Sequence, residues 1–212
     1  MRLIVKQIKK ELYSAVFEIW QDGMRIVGNI SMQGALGSRE GSFQINYNNV
    51  LIQMSPTGRR EAKELAGSLI KRSPFRPYAI RQENLKGIMF HDQIKTGFLQ
   101  NAGYHLLSFN GNVYFLYYVG FGDRGICAPV YRDDSCIGEI KKDCVVTDGL
   151  HIFDIILHEP HETGMVSALL VLCCYMYVVT YYCAGEKVLH GIQKNIVITK
   201  NNYLLSKCKM PL

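Results

Sequence analysis

Apolar residues recur along this chain at two different spacings. In most of it they alternate with polar ones. Phe43-Gln44-Ile45-Asn46-Tyr47 sends every second side chain to one face, which is the period of a half-buried strand. Turn pairs cut the alternating stretches into short lengths. Asp22-Gly23 separates Tyr13–Trp20 from Met24–Met32, Asn110-Gly111 separates Tyr104–Phe109 from Val113–Val119, and Asp148-Gly149 separates Cys144–Thr147 from Leu150–Leu157. Each pair supplies the positive φ that a tight hairpin needs. Arg132-Asp133-Asp134 divides Gly125–Tyr131 from Cys136–Ile140 in the same way, and Asn201-Asn202 marks a last turn. About a dozen strands are predicted on these criteria. Helices and strands nowhere alternate, which argues against a parallel α/β sheet.

Two stretches have helical spacing instead. From Arg59 to Arg72, after the Pro56-Thr57-Gly58 turn, residues Ala62, Leu65, Ala66, Leu69 and Ile70 form one apolar face. The other face carries Arg59, Arg60, Lys63, Lys71 and Arg72, with Arg76 just beyond. From Met165 to Ala184, twenty residues pass without one formal charge.

That second run is long enough to cross a bilayer as a helix of about 30 Å. It also suits the centre of a large fold, where a helix is apolar all round. A closed sheet of about twelve strands has a lumen wider than its own side chains fill, and an axial helix packs it. Tyr175 and Tyr177 fall mid-run, where a lipid-facing hydroxyl lacks a partner. Membrane tyrosines favour the interfaces instead. The flanks, Glu162 before and Glu186-Lys187 after, carry no cluster of positive charge. Nine large aliphatic or Met side chains in the run are worth roughly 1.5–3 kcal/mol each when buried. The run is therefore expected inside the sheet; the alternative is an integral membrane protein anchored by residues 165–184.

Composition adds limits. At 48% apolar and 20% charged residues the chain is globular, and no linker or repeat divides residues 1–212, so one domain is expected. The net charge of +6 is a mild bias toward anionic partners. Lys and Arg are spread without interleaved aromatics, so nucleic acid is not an expected partner. Seven cysteines without a Cys-x-x-Cys pair favour a reducing, intracellular setting. The opening Met1-Arg2-Leu3-Ile4-Val5-Lys6 lacks the continuous apolar core of a signal peptide and reads as a strand.

The order of elements from Asn110 to Ala184 resembles the superfamily that holds the tubby C-terminal domain, the phospholipid scramblases and the LURP-one-related proteins. The resemblance is carried by the hairpin at Asn110-Gly111, then Ala128-Pro129-Val130-Tyr131 and Ile137-Gly138-Glu139-Ile140-Lys141-Lys142. Thr147-Asp148-Gly149-Leu150-His151-Ile152-Phe153 and the helix opening Met165-Val166-Ser167-Ala168-Leu169-Leu170 follow. The hairpin from Phe17-Glu18-Ile19-Trp20-Gln21-Asp22-Gly23 to Met32 is similar to that family's repeats. The resemblance implies a mainly β fold, a twelve-stranded antiparallel barrel closed around a hydrophobic helix. Two departures stand out. Here 28 residues follow Ala184, enough for a hairpin or a cover over a barrel mouth. The scramblases' acidic calcium segment has no match, and the basic phosphoinositide positions of tubby cannot be placed one by one.

Candidate chemistry is sparse. Gly120-Phe121-Gly122-Asp123-Arg124-Gly125 fits G-x-G-x-x-G, but strand-like residues with Pro129 follow it where a dinucleotide site needs a helix. A glycine-rich turn is the expectation. His158-Glu159-Pro160-His161-Glu162 gathers two imidazoles and two carboxylates, so His158, His161 and Glu162 are weak metal candidates. Pro160 sets a turn rather than the helix of a His-Glu-x-x-His site, so a polar loop capped by Thr163 is the plainer reading. No nucleophile and base are singled out, and no cofactor is expected. The chain reads as a non-enzymatic tubby-like domain that binds an anionic membrane or a protein. The basic Arg59–Arg72 face is the candidate contact, and the plainer reading of that face is a solvated helix covering a sheet edge or a barrel end. Its expected setting is cytoplasmic, peripheral to a membrane if lipid is the partner. A metal-dependent enzyme using the His158–Glu162 loop is the third reading.

Overall fold

The computed structural model describes residues 1–34, 41–66, 76–95, 101–117, 119–120, 126–133, 135–142, 150–158 and 163–184. Strands β1 (Arg2–Lys10), β2 (Ser14–Gln21), β3 (Arg25–Gln33), β4 (Ser42–Tyr47) and β5 (Val50–Pro56) come first. A short helix, α1 (Arg59–Ala66), precedes β6 (Tyr78–Gln82), β7 (Leu85–Lys95), β8 (Asn101–Phe109) and β9 (Asn112–Tyr117). Then come β10 (Val119–Gly120), β11 (Ile126–Arg132), β12 (Ser135–Lys142), β13 (Ile152–Leu157) and α2 (Thr163–Ala184).

Each strand pairs antiparallel with its neighbour from β1 to β9 and from β11 to β13, and two further pairings close the ring. β9 meets β11, with Leu116 opposite Val130, and β13 meets β1, with Phe153 opposite Val5. The two-residue β10 flanks the same side of β11 as β9, with Val119 opposite Cys127. The result is a closed antiparallel barrel of twelve strands. Closure removes the unpaired edges that make open sheets aggregate.

Period-2 alternation decides which side chains face inward. In β4, Phe43, Ile45 and Tyr47 are buried while Ser42, Gln44 and Asn46 are exposed. β7 and β8 bury both faces. Met89 and Leu107 belong to the main apolar cluster, while their neighbours Ile88, Phe90 and Leu106 belong to a second one. α1 forms the second cluster by laying Ala62 and Leu65 against those residues and Tyr104. One wall of the barrel is thus apolar outside as well as in, and the amphipathic α1 covers it.

Residues Met165–Tyr177 of α2 are buried throughout and share the main cluster with Leu3, Phe17, Ile30, Ile52 and Phe153. α2 begins at Thr163, two residues before the uncharged run. An apolar run marks what must be buried, not where backbone bonding starts. Two glycines fit close approaches. A Cβ on Gly138 would stand 2.4 Å from the Ile156 carbonyl oxygen and 3.3 Å from a Leu169 methyl. On Gly28 it would stand 2.0 Å from the Asn46 carbonyl oxygen. Among the described residues no helix is long and apolar enough to cross a membrane.

Candidate functional site

The two ends of the barrel are built differently. Five tight connections lie at one end: Asp22-Gly23, Asn48-Asn49, Glu83, Asn110-Gly111 and Asp133 all have φ between 47° and 72°. Antiparallel order then places the β1–β2 turn and the connections β3–β4, β5–β6, β7–β8, β9–β11 and β12–β13 at the other end. Gly164 lies near the Asn110 side chain at the tight end, while Tyr177 meets Gln7 and His151 near the loop-bearing end. Loops on a rigid scaffold are where binding residues concentrate.

α1 leaves from that loop-bearing end. Thr57 donates its backbone N–H to the Pro77 carbonyl, and Ala62 closes the first helical turn on the Gly58 carbonyl. Glu61 accepts from the Thr57 hydroxyl and pairs with Arg81 at 3.1 Å, and both contacts hold its carboxyl below the usual range. Arg59, Arg60 and Lys63 are exposed, and Arg60 is joined only loosely to Glu64 at 3.4 Å. Arg76 is exposed at the start of the return to β6. Lys71 and Arg72 lie outside the described residues. The described cations are therefore brought to one flank, interleaved with two acids.

The other sequence candidates are not brought together with them. His158 is exposed just after β13 at the tight end, its N–H donating to the Ile137 carbonyl at 3.0 Å. His161 and Glu162 lie outside the described residues. Among the described residues no group of three or more His, Cys, Asp or Glu side chains is placed to hold a metal. The glycine motif from Gly120 leads into strand β11 rather than a helix, so it offers no helix N-terminus to a pyrophosphate.

Three polar clusters escape a reading of the sequence. Gln7, wholly buried at a bulge in β1, satisfies both backbone groups of His151: its backbone N–H donates to the His151 carbonyl, and its side-chain Oε1 accepts from the His151 N–H. Its Nε2 donates to the Tyr177 hydroxyl at 3.3 Å and to the Lys9 carbonyl at 3.4 Å. His91 and His105 sit directly opposite across β7 and β8 with their Nδ1 atoms 3.3 Å apart, and the Tyr175 ring stands edge-on to His105. Burial, then the nearby His91, pushes the His105 imidazole well below its ordinary value. On the outer wall, buried Glu139 takes a 2.7 Å ion pair from Lys141 and a 3.2 Å contact from the Cys127 thiol. Burial and that carboxylate push the thiol up to about 12, the opposite of what a nucleophile requires.

Each cluster depends on strand register. His91 and His105 share inward parity with Met89 and Leu107, so a correct β7–β8 pairing would have found them. Gln7 and His151 meet across the closing β1–β13 seam, which no local pattern announces.

Cys127, Cys173 and Cys174 are free and buried, whereas Cys136 is disulfide-bonded. That bond runs against the reading of the cysteines as a reduced set. Composition counts cysteines but does not reveal which two a fold sets side by side. A cavity between α2 and the strands has a volume of about 10 Å³ and is lined by Val5, Phe17, Ile30, Phe43 and other apolar residues. That is room for about one water, not for an organic ligand. Compared with known proteins, the chain matches no family model, no curated protein and no solved structure.

Proposed function

We propose that the chain is a non-enzymatic, tubby-like binding barrel that docks peripherally on an anionic membrane surface. In this reading α2 is the central plug, and the loop-bearing end with the basic flank of α1 faces the lipid. The observation that carries it is the grouping of exposed Arg59, Arg60, Lys63 and Arg76 on the flank of that end. The burial of Met165–Tyr177 among strand residues supports the plug. With the interior occupied, recognition falls to the outer surface.

Clustered cations attract the anionic cytoplasmic leaflet by about 1 kcal/mol each near the surface. The cytoplasmic setting belongs to this proposal. Vesicle co-sedimentation tests the docking. Wild-type protein should pellet with phosphatidylserine-containing vesicles and not with neutral ones. A variant with Arg59, Arg60, Lys63, Lys71 and Arg72 changed to Ala should lose most of that binding, and equal binding by the two proteins rejects the basic flank as the site. Carbonate extraction separates a plug from an anchor, since an anchored chain stays in the membrane pellet.

A further inference from the structure

The second half of α2 carries two buried tyrosines, Tyr175 and Tyr177. Residues two apart on a helix point about 200° apart, so these rings face opposite walls of the barrel. Each wall meets its ring with a buried imidazole. On the β6–β8 side the Tyr175 ring stands edge-on to His105 at 4.8 Å and to Tyr78 at 5.6 Å, and the His91 Nδ1 lies 3.3 Å from that of His105. On the β13–β2 side the Tyr177 ring stands edge-on to His151 at 5.1 Å and to Phe17 at 5.0 Å, and its hydroxyl accepts from Gln7. His151 stacks on Phe153, and the buried Lys142 ammonium lies 6.0 Å from that Phe153 ring. These contacts bring three imidazoles, one ammonium and the Tyr78 phenol to α2, whose own Cys173 and Cys174 thiols are held neutral by burial. The buried carboxylate of the described residues, Glu139, lies on the outer wall with Lys141 and Cys127.

We infer that the two histidine-bearing walls form an acid-sensitive clamp on the second half of α2: neutral imidazoles hold it in the barrel, and their protonation lets it open. The inference rests on the reading of α2 as the plug, and the docking surface plays no part in it. A neutral imidazole packs against a phenol ring at little cost, whereas an imidazolium in the same place is a charge taken from water. Each wall adds its own penalty. Protons on both His91 and His105 set two positive charges in contact, and a proton on His151 joins a site that already holds the Lys142 ammonium. Burial, then His91, already holds the His105 imidazole well below its ordinary value. Opening returns the rings to water, so it is favoured as pH falls through the ordinary histidine value of about 6.5.

Hydrogen exchange of the full chain tests the clamp. The amides of residues 171–180 are compared with those of β4, each corrected for its intrinsic rate at that pH. Both should be protected at pH 7. At pH 5 the helix should lose protection roughly tenfold or more while β4 keeps its own, since one histidine freed to its ordinary value allows about twentyfold. His105→Gln and His151→Gln keep a polar side chain that does not titrate, and each should shrink the loss. Wild-type protein alone is decisive if a variant fails to fold: equal helix protection at the two pH values, or a loss shared equally by β4, overturns the clamp and leaves the plug standing. A loss of undiminished size in both variants overturns it as well. Free exchange of residues 171–180 at pH 7 rejects the plug itself.

Discussion

Removing the Tyr177 ring measures how far the barrel depends on α2. The ring is 1% exposed and stands edge-on to Phe17 at 5.0 Å, to His151 at 5.1 Å and to Phe153 at 6.4 Å. Its hydroxyl accepts from buried Gln7. One side chain therefore ties α2 to β1, β2 and β13. Large aromatic to Ala changes in such sites cost about 3–5 kcal/mol, and this one would enlarge a cavity that already exists beside Cys173 and Cys174. Against a domain stability of about 5–15 kcal/mol the loss is severe. Tyr177→Phe keeps the ring and removes only the hydroxyl. Gln7 retains the Lys9 carbonyl, so the cost falls to about 1 kcal/mol.

Urea unfolding followed by circular dichroism and by Trp20 fluorescence gives both numbers. With a slope of about 2–3 kcal/mol per molar, Tyr177→Ala should lower the midpoint by about 1–2 M and Tyr177→Phe by under about 0.5 M. Both probes should move together, because the helix and the strands form one core. A Tyr177→Ala midpoint within about 0.3 M of wild type would refute the reasoning, since a helix packed only at the margin would not register in β2.

Further outcomes follow from the same geometry. His105 has a depressed pKa when folded, so the unfolded chain takes up its proton first as pH falls. Its contribution is fully present above the ordinary histidine value of about 6.5 and declines below it. The melting temperature should drop between neutral pH and about pH 5, with His105→Phe flattening that drop; equal slopes in the two proteins would exclude the histidine as the cause. Gly138→Ala pushes a methyl against the Ile156 carbonyl and a Leu169 methyl, and should cost about 1–3 kcal/mol in the same urea assay. The Cys127, Cys173 and Cys174 thiols are raised by burial and should resist maleimide at neutral pH until the protein is unfolded, as mass mapping of labelled peptides would show.

Much of the barrel is legible in the chain because its causes are local. Asp22-Gly23 and Asn110-Gly111 adopt the positive φ that their residue types favour, and each splits two alternating runs where expected. Glu83 turns with φ 50°, a conformation glutamate seldom takes, so the β6–β7 hairpin carries no comparable signal. The amphipathic start of α1 shows in Ala62 and Leu65, both of which pack as their spacing suggests. The candidate site is less legible. Arg59, Arg60 and Lys63 are visible as a basic face, but the Glu61–Arg81 pair that partly neutralises the same flank spans two elements. The buried Glu139 looks like any exposed strand position, because parity along β12 turns it outward and only three-dimensional cover buries it.

The seam between β1 and β13 has a kinetic consequence. Arg2 lies opposite Ile156, and the Met1 ammonium reaches the Leu157 carbonyl at 3.4 Å. A ribosome can release hairpin after hairpin, each zipping onto the last, but the cylinder cannot shut until the stave carrying Ile152–Leu157 has emerged. Until then the growing sheet is an open trough with a greasy floor and two unpaired edges, the form in which β-chains are most prone to aggregate.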